Sequence, residues 1–201
     1  VGKERLIVNC GAHPSQSGAW RQALAATAAH STVTIADTNS SEVLTDGGLG
    51  RRPGLVTCER QELEAGAVLV VATHDGYAQN VGLLHRRRVY LADSGEDLRG
   101  EDTLEPVLGR QPPPQNFAVR FHLHPGAAPA LSESGDAVLL RLMSGAVWRL
   151  HARGGAVSIQ ESIYLGQGEE PRPTSQVVVS GQTGAEPVTV KWALRRERKP
   201  G

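Results

Sequence analysis

Aromatic residues make up only 4% of the 201-residue chain and methionine occurs once, whereas glycine occurs 23 times and proline 12. A chain so punctuated, without sustained Leu/Ala heptads, is not a helical bundle. Its two cysteines, Cys10 and Cys58, are too few for a disulfide framework and leave open one bridge or two free thiols. A charge surplus is also missing, since 21 Lys plus Arg balance 21 Asp plus Glu. That excludes a generic nucleic-acid or anionic-membrane binder, which needs a basic excess. No run approaches the ~18 apolar residues of a membrane span, and residues 1–9 lack the apolar core of a signal peptide. The length suits one large domain or two small ones. Val1 is no start methionine, and Leu6-Ile7-Val8 already has strand character, although domains ordinarily begin with dispensable residues. The expectation is the C-terminal part of a longer polypeptide, with removal of a leader as the alternative.

What the chain does have is period-two patterning. Val119-Arg120-Phe121-His122-Leu123-His124 alternates strictly, as a half-buried strand does. Residues 188–195 repeat the pattern with a basic outer face. Between them, 137–143, 146–153 and 156–165 form a predicted antiparallel meander, turning at Ser144-Gly145 and Gly154-Gly155. A further short β-branched run covers 175–180. In the first half, 6–9, 32–36, 54–61, 67–73 and 87–92 are strand candidates. Only 18–30, with its alanines, has helical character, and it reads equally as an extended approach to the next strand. Pro112-Pro113-Pro114 marks a loop or rigid spacer that could divide two sub-domains. Both flanks are β-rich, so one all-β, antiparallel, two-sheet sandwich over 1–201 is the simpler architecture.

Seven histidines are the most informative polar set: His13, His30, His74, His85, His122, His124 and His151. His122 and His124, at i and i+2, project from one face of a strand and could chelate a metal as a cupin pair does. Pro125 follows at once and Glu133 is too distant to complete that motif, which favours two polar residues on a solvated or domain-facing sheet surface. No G-x-S-x-G elbow is present, and neither Ser31 nor Ser144 lies in a strand–turn–helix context. Gly47-Gly48-Leu49-Gly50 lacks the spacing and lysine of a phosphate loop. The cysteines have no C-x-x-C partner, so structural thiols are the default. Arg86-Arg87-Arg88 and Arg195-Arg196-Glu197-Arg198-Lys199 are basic patches that a polyanionic sugar could pair bidentately.

Several segments together resemble the C-terminal β domain of the heparinase II/III-like polysaccharide lyases. They are 6–11 (Leu-Ile-Val-Asn-Cys-Gly), 27–33 around His30, His74-Asp75-Gly76-Tyr77, His85-Arg86-Arg87, Arg120-Phe121-His122-Leu123-His124-Pro125 and Lys191-Trp192-Ala193-Leu194-Arg195-Arg196. Their order spans essentially the whole chain. The resemblance implies a bacterial protein, periplasmic or cytoplasmic, whose N-terminal α/α toroid precedes the sandwich, with the active cleft between them. Such lyases cleave uronic-acid glycosides by β-elimination, which needs a Tyr/His acid–base pair and a group stabilising an enolate-like intermediate. By the resemblance, both catalytic residues lie upstream of Val1, so none is expected in this chain.

The resemblance also implies zinc in the intact protein, held by an upstream H-x-H, an aspartate and a histidine matched by His30. Asn9 stands where the aspartate is expected, and a neutral amide is a poorer zinc ligand. His30 is therefore the metal candidate, with a structural hydrogen-bonding role as its alternative, and no cofactor is expected in the fragment. His74, Tyr77, Arg86 and Arg87 are the substrate-facing candidates, Tyr77 because its hydroxyl could face a cleft. The implied partners are an acidic polysaccharide or oligosaccharide and the chain's own helical domain. Neither nucleic acid nor a membrane span is expected, and an open edge at Leu6 points to a homo-oligomer. A non-catalytic carbohydrate-binding sandwich and a cupin-like metal-binding protein are the alternative functions.

Overall fold

The computed structural model describes residues 1–12, 17–166 and 170–197. His13, Arg198 and Lys199 lie outside them. In chain order the first half holds β1 (Ile7–Val8), α1 (Gly18–Ala25), a 3-10 turn (Thr27–Ala29), β2 (Val33–Ile35), β3 (Val56–Glu62), β4 (Val68–His74), β5 (Leu83–Leu91) and β6 (Asp97–Pro106). The second half is all strand: β7 (Asn116–Leu123), β8 (Ala127–Leu131), β9 (Ala137–Leu142), β10 (Val147–Arg153), β11 (Ala156–Tyr164), β12 (Arg172–Gln182) and β13 (Val188–Arg196). They build two antiparallel sheets. The larger runs β3-β4-β5-β6-β13-β10-β9-β8; the smaller runs β1-β7-β12-β11, with β2 also on β7. Each sheet draws strands from both sides of the triple-proline segment.

Alternation decides which face of each strand is buried. On β13, Val190, Trp192 and Leu194 point inward, and on β10 Trp148, Leu150 and Ala152 do. They meet Val119, Phe121, Leu123, Val177 and Val179 of the smaller sheet in one core. Each fully buried side chain of this size contributes about 1.5–3 kcal/mol. A second cluster, Cys10, Leu24, Ala29 and Leu165, packs α1 and the 3-10 turn onto the outer side of the smaller sheet. The alanine-rich stretch is thus a helix followed by a 3-10 turn, since Leu24 and Ala29 gain burial only when the chain folds back there.

The meander needs two corrections. The β9–β10 hairpin forms, but its loop is Met143-Ser144-Gly145, with Gly145 at φ +83° and Leu142 N–H donating to Ala146 O. That is the three-residue loop with a left-handed glycine. Gly154-Gly155 makes no hairpin, because β10 pairs with β9 and β13 whereas β11 pairs with β12. The chain there crosses from one sheet to the other. A Cβ on Gly154 would lie 2.4 Å from Thr189 O, and one on Gly155 2.6 Å from Ser180 O, so the crossing requires two glycines.

Leu6 is buried at 4% exposure, and the short β1 pairs with β7 at one end of the smaller sheet. The larger sheet ends at β3 and β8, and at β3 Leu55 and Val56 are 53% and 65% exposed. Both cysteines are free thiols, Cys10 buried and Cys58 exposed.

Gly100 on β6 lies opposite Trp192, and a Cβ there would sit 2.1 Å from the indole ring. Gly100→Ala is expected to lower stability by about 1–3 kcal/mol by overpacking. A thermal melt unchanged from the parent would contradict this placement of Trp192.

Candidate functional site

A chain of buried polar groups lies on the inner face of the larger sheet. Cross-strand register places His74 beside His85, and Arg87 beside Asp102. Gly76 N–H donates to His74 Nδ1 at 3.1 Å, which leaves the His74 proton on Nε2. That nitrogen lies 3.1 Å from His85 Nδ1, and His85 Nε2 lies 2.7 Å from Asp102 Oδ1. The donor order is therefore Gly76, His74, His85, Asp102. Asp102 also accepts Arg87 Nε at 2.6 Å, Arg87 Nη2 at 3.0 Å and Trp192 Nε1 at 2.9 Å. At 1% exposure it is a fully paired buried carboxylate.

Charge and burial act in opposite senses here. Burial alone would push the Asp102 pKa up, but the His85 hydrogen bond and the Arg87 charge and hydrogen bonds hold it well below the usual carboxylate range. Burial lowers His74 to about 4, helped by the His85 and Arg87 charges and opposed by Asp75. Arg87 Nη1 also reaches across to Ser31 O at 2.7 Å. The network thus ties the larger sheet to the segment carrying His30.

The four substrate-facing candidates separate. Tyr77 is 1% exposed and its hydroxyl donates to Val33 O at 2.7 Å, which corrects the expected cleft-facing hydroxyl. Burial pushes its pKa up. His74 and Arg87 belong to the buried network. Arg86 points to the outer face, paired with Glu105 at 2.8 Å. Of the i, i+2 pair, His122 is covered and His124 is half-buried. His122 is 2% exposed, donates through Nε2 to Ala28 O at 2.9 Å and accepts at Nδ1 from Ser162 Oγ at 2.7 Å. His124 lies beyond the end of β7, accepts Gly126 N–H and meets Tyr164 edge to face.

His30 is half-buried, and burial lowers its pKa. Asn9 is beside it in space, its Oδ1 accepting Ser31 N–H at 2.8 Å. That amide oxygen is already committed to the backbone. Among the described residues no group of three or more His, Cys, Asp or Glu side chains is placed to hold a metal. Structural zinc needs four donors, so the residues present do not make up a zinc site. Cys10 Sγ lies 3.5 Å from His122 Nδ1, and burial pushes its thiol pKa up, as for an inert structural thiol.

The family model of the heparinase II/III-like C-terminal domain matches residues 1–193. The chain belongs to this family. Its heparinase II/III-like fold is shared with the heparan sulfate lyase HepC from Pedobacter heparinus, at TM-score 0.75 and 14% identity over 98% of this chain and 29% of that one. A solved heparinase III aligns at TM-score 0.74 and 15% identity, over 98% of this chain and 28% of that one. Among curated proteins, FtsZ-localized protein C of Caulobacter vibrioides is 34% identical over 96% of this chain. The chain spans 35% of that relative's length.

Of the buried network in this heparinase II/III-like domain, the sequence signals His74, His85 and Arg87 but not Asp102. In Glu101-Asp102-Thr103 the aspartate resembles a solvated charge. Only its register opposite Arg87 and Val190 shows that it faces inward.

Proposed function

We propose that this chain is the C-terminal β-sandwich of a polysaccharide lyase cleaving uronic-acid glycosides by β-elimination, forming one wall of a cleft completed by an N-terminal helical domain. The observation that carries the reading is the family match over residues 1–193. Tyr77, the tyrosine beside His74, is buried with its hydroxyl donated to Val33 O, which agrees with a base and acid supplied from outside the chain. The chain's own residues act as a scaffold: Asp102, Arg87 and Ser31 O hold the His30 segment against the larger sheet. His30 is the side chain that the family resemblance assigns to zinc in the longer protein, and the remaining ligands would come from upstream.

A second reading rests on the 34% identity to FtsZ-localized protein C and on Asn9 in place of aspartate. There the longer protein keeps the fold, has no lyase activity and localizes with FtsZ. The deciding experiment gives the longer protein a panel of uronic-acid polysaccharides and follows the ultraviolet absorbance of unsaturated ends. Turnover supports the lyase reading. No turnover, with a fluorescent fusion that co-localizes with FtsZ, supports the second.

Self-association through the β3 edge is a further part of this reading, since its unpaired backbone and exposed Val56 offer a pairing template. Light scattering is expected to show dimers that Val56→Lys weakens. A strict monomer at high concentration would count against it.

A further inference from the structure

Zero net charge conceals an asymmetry. The residues of β5, β6, β13 and β10 that alternate with the buried ones form the outer face of the larger sheet. A shallow trough of about 370 Å³ lies on it. Four cations line it, Arg88, Arg99, Arg153 and Lys191, against the single carboxylate Glu101. Glu101 is shared, 3.2 Å from Arg88 and 3.5 Å from Lys191, which fixes both cations without neutralising the group. The Arg99 guanidinium lies 5.6 Å over the Tyr90 ring and is already paired with Asp97, through Nε at 3.0 Å and Nη2 at 2.6 Å, so Arg88, Arg153 and Lys191 are the cations left to face a ligand. The depression exists because Ala193 lies opposite Arg99 and His151 in the cross-strand row, where a long side chain would fill it. Leu69, Tyr90 and Ala193 supply an apolar floor between the charges.

We propose that this trough binds a carboxylated oligosaccharide, as a second contact for an acidic sugar chain on the side of the sandwich opposite His30. The 3-10 turn before His30 packs on the outer side of the smaller sheet, so the two positions are separated by both sheets. Guanidinium groups pair with carboxylates bidentately, and an apolar floor suits the C–H face of a sugar ring. A peptide is the poorer fit. Every strand under the trough is paired on both sides, so an extended chain finds no free backbone edge to join. The choice of a uronic-acid sugar rests on the lyase reading, whereas the charge and shape of the trough do not.

The test is calorimetric titration of the chain with a hexameric oligogalacturonate and with its methyl ester, which keeps the sugar and removes the charge. The expected result is binding of the acid form alone, weakened about tenfold in R153A/K191A, where two charge-assisted contacts are lost. Lys191 is 68% exposed at its side chain, so the fold should tolerate that pair of changes. His30→Ala should leave binding unchanged. Absent binding, equal binding by R153A/K191A, or tighter binding of a single-stranded oligonucleotide or an anionic phospholipid vesicle would each overturn the proposal. Turnover by the longer protein is measured separately, so a failed lyase reading with intact, variant-sensitive sugar binding leaves this site standing.

Discussion

Asp102→Ala is expected to lower the stability of the chain by about 3–5 kcal/mol, the range found when one partner of a buried ion pair is removed. The carboxylate takes hydrogen bonds from His85, from both Nε and Nη2 of Arg87, and from Trp192. Removing it strands a guanidinium charge and two buried N–H donors on the inner face of the sheet, and each orphaned donor costs about 1–3 kcal/mol. The loss should spread, because Arg87 also holds Ser31 O. Urea denaturation measures the effect, and hydrogen exchange at 27–33 should rise more than in the β9–β10 hairpin. A loss under about 1 kcal/mol would mean that Asp102 is not the node of the network.

Acid should destabilise the fold well before most carboxylates titrate. His74 has a folded pKa of about 4 against an ordinary value of 6.5. The unfolded chain therefore takes up a proton as pH falls through 6.5, while the folded chain resists until about 4. Stability from this group is complete above 6.5 and is lost between 6.5 and 4, by about 2 kcal/mol after discounting for partial solvent screening. Burial of the ring explains the resistance, and a proton on His74 Nδ1 would also face Gly76 N–H. His30, His122 and His124 are also lowered and act in the same direction. Below about 4 the protonation of Asp102 adds to the loss. Urea midpoints at pH 7.5, 6 and 4.5 should fall steadily, and His74→Gln should flatten the decline. An unchanged slope in that variant would assign the acid sensitivity elsewhere.

Most strands were legible because one apolar face alternates with one polar face. Asp97–Pro106 was not, although it too has period two. Its inward residues are Leu98, Gly100, Asp102 and Leu104, so a missing side chain and a charge interrupt the apolar signal. Ala127–Leu131 was hidden by Pro129, which is tolerated because β8 is a sheet edge. The Gly154-Gly155 turn failed for another reason: glycine pairs mark tight geometry but not which sheet the chain enters next. At the candidate site, residue types were legible and partners were not. The register joining Arg87 to Asp102 and His74 to His85 is set by the 92–96 and 75–82 turns between consecutive strands, whose geometry no local spacing encodes. Tyr77 followed the same rule, since its hydroxyl partner is a carbonyl 44 residues away.

The most direct test of the central claim, that this chain is a scaffold whose catalytic groups come from outside it, is to assay the 201-residue chain by itself. Incubated with the panel of uronic-acid polysaccharides, it should produce no ultraviolet absorbance from unsaturated ends and carry no stoichiometric zinc by metal analysis. Turnover by this chain, abolished by Tyr77→Phe, would place the active site within it and contradict the account.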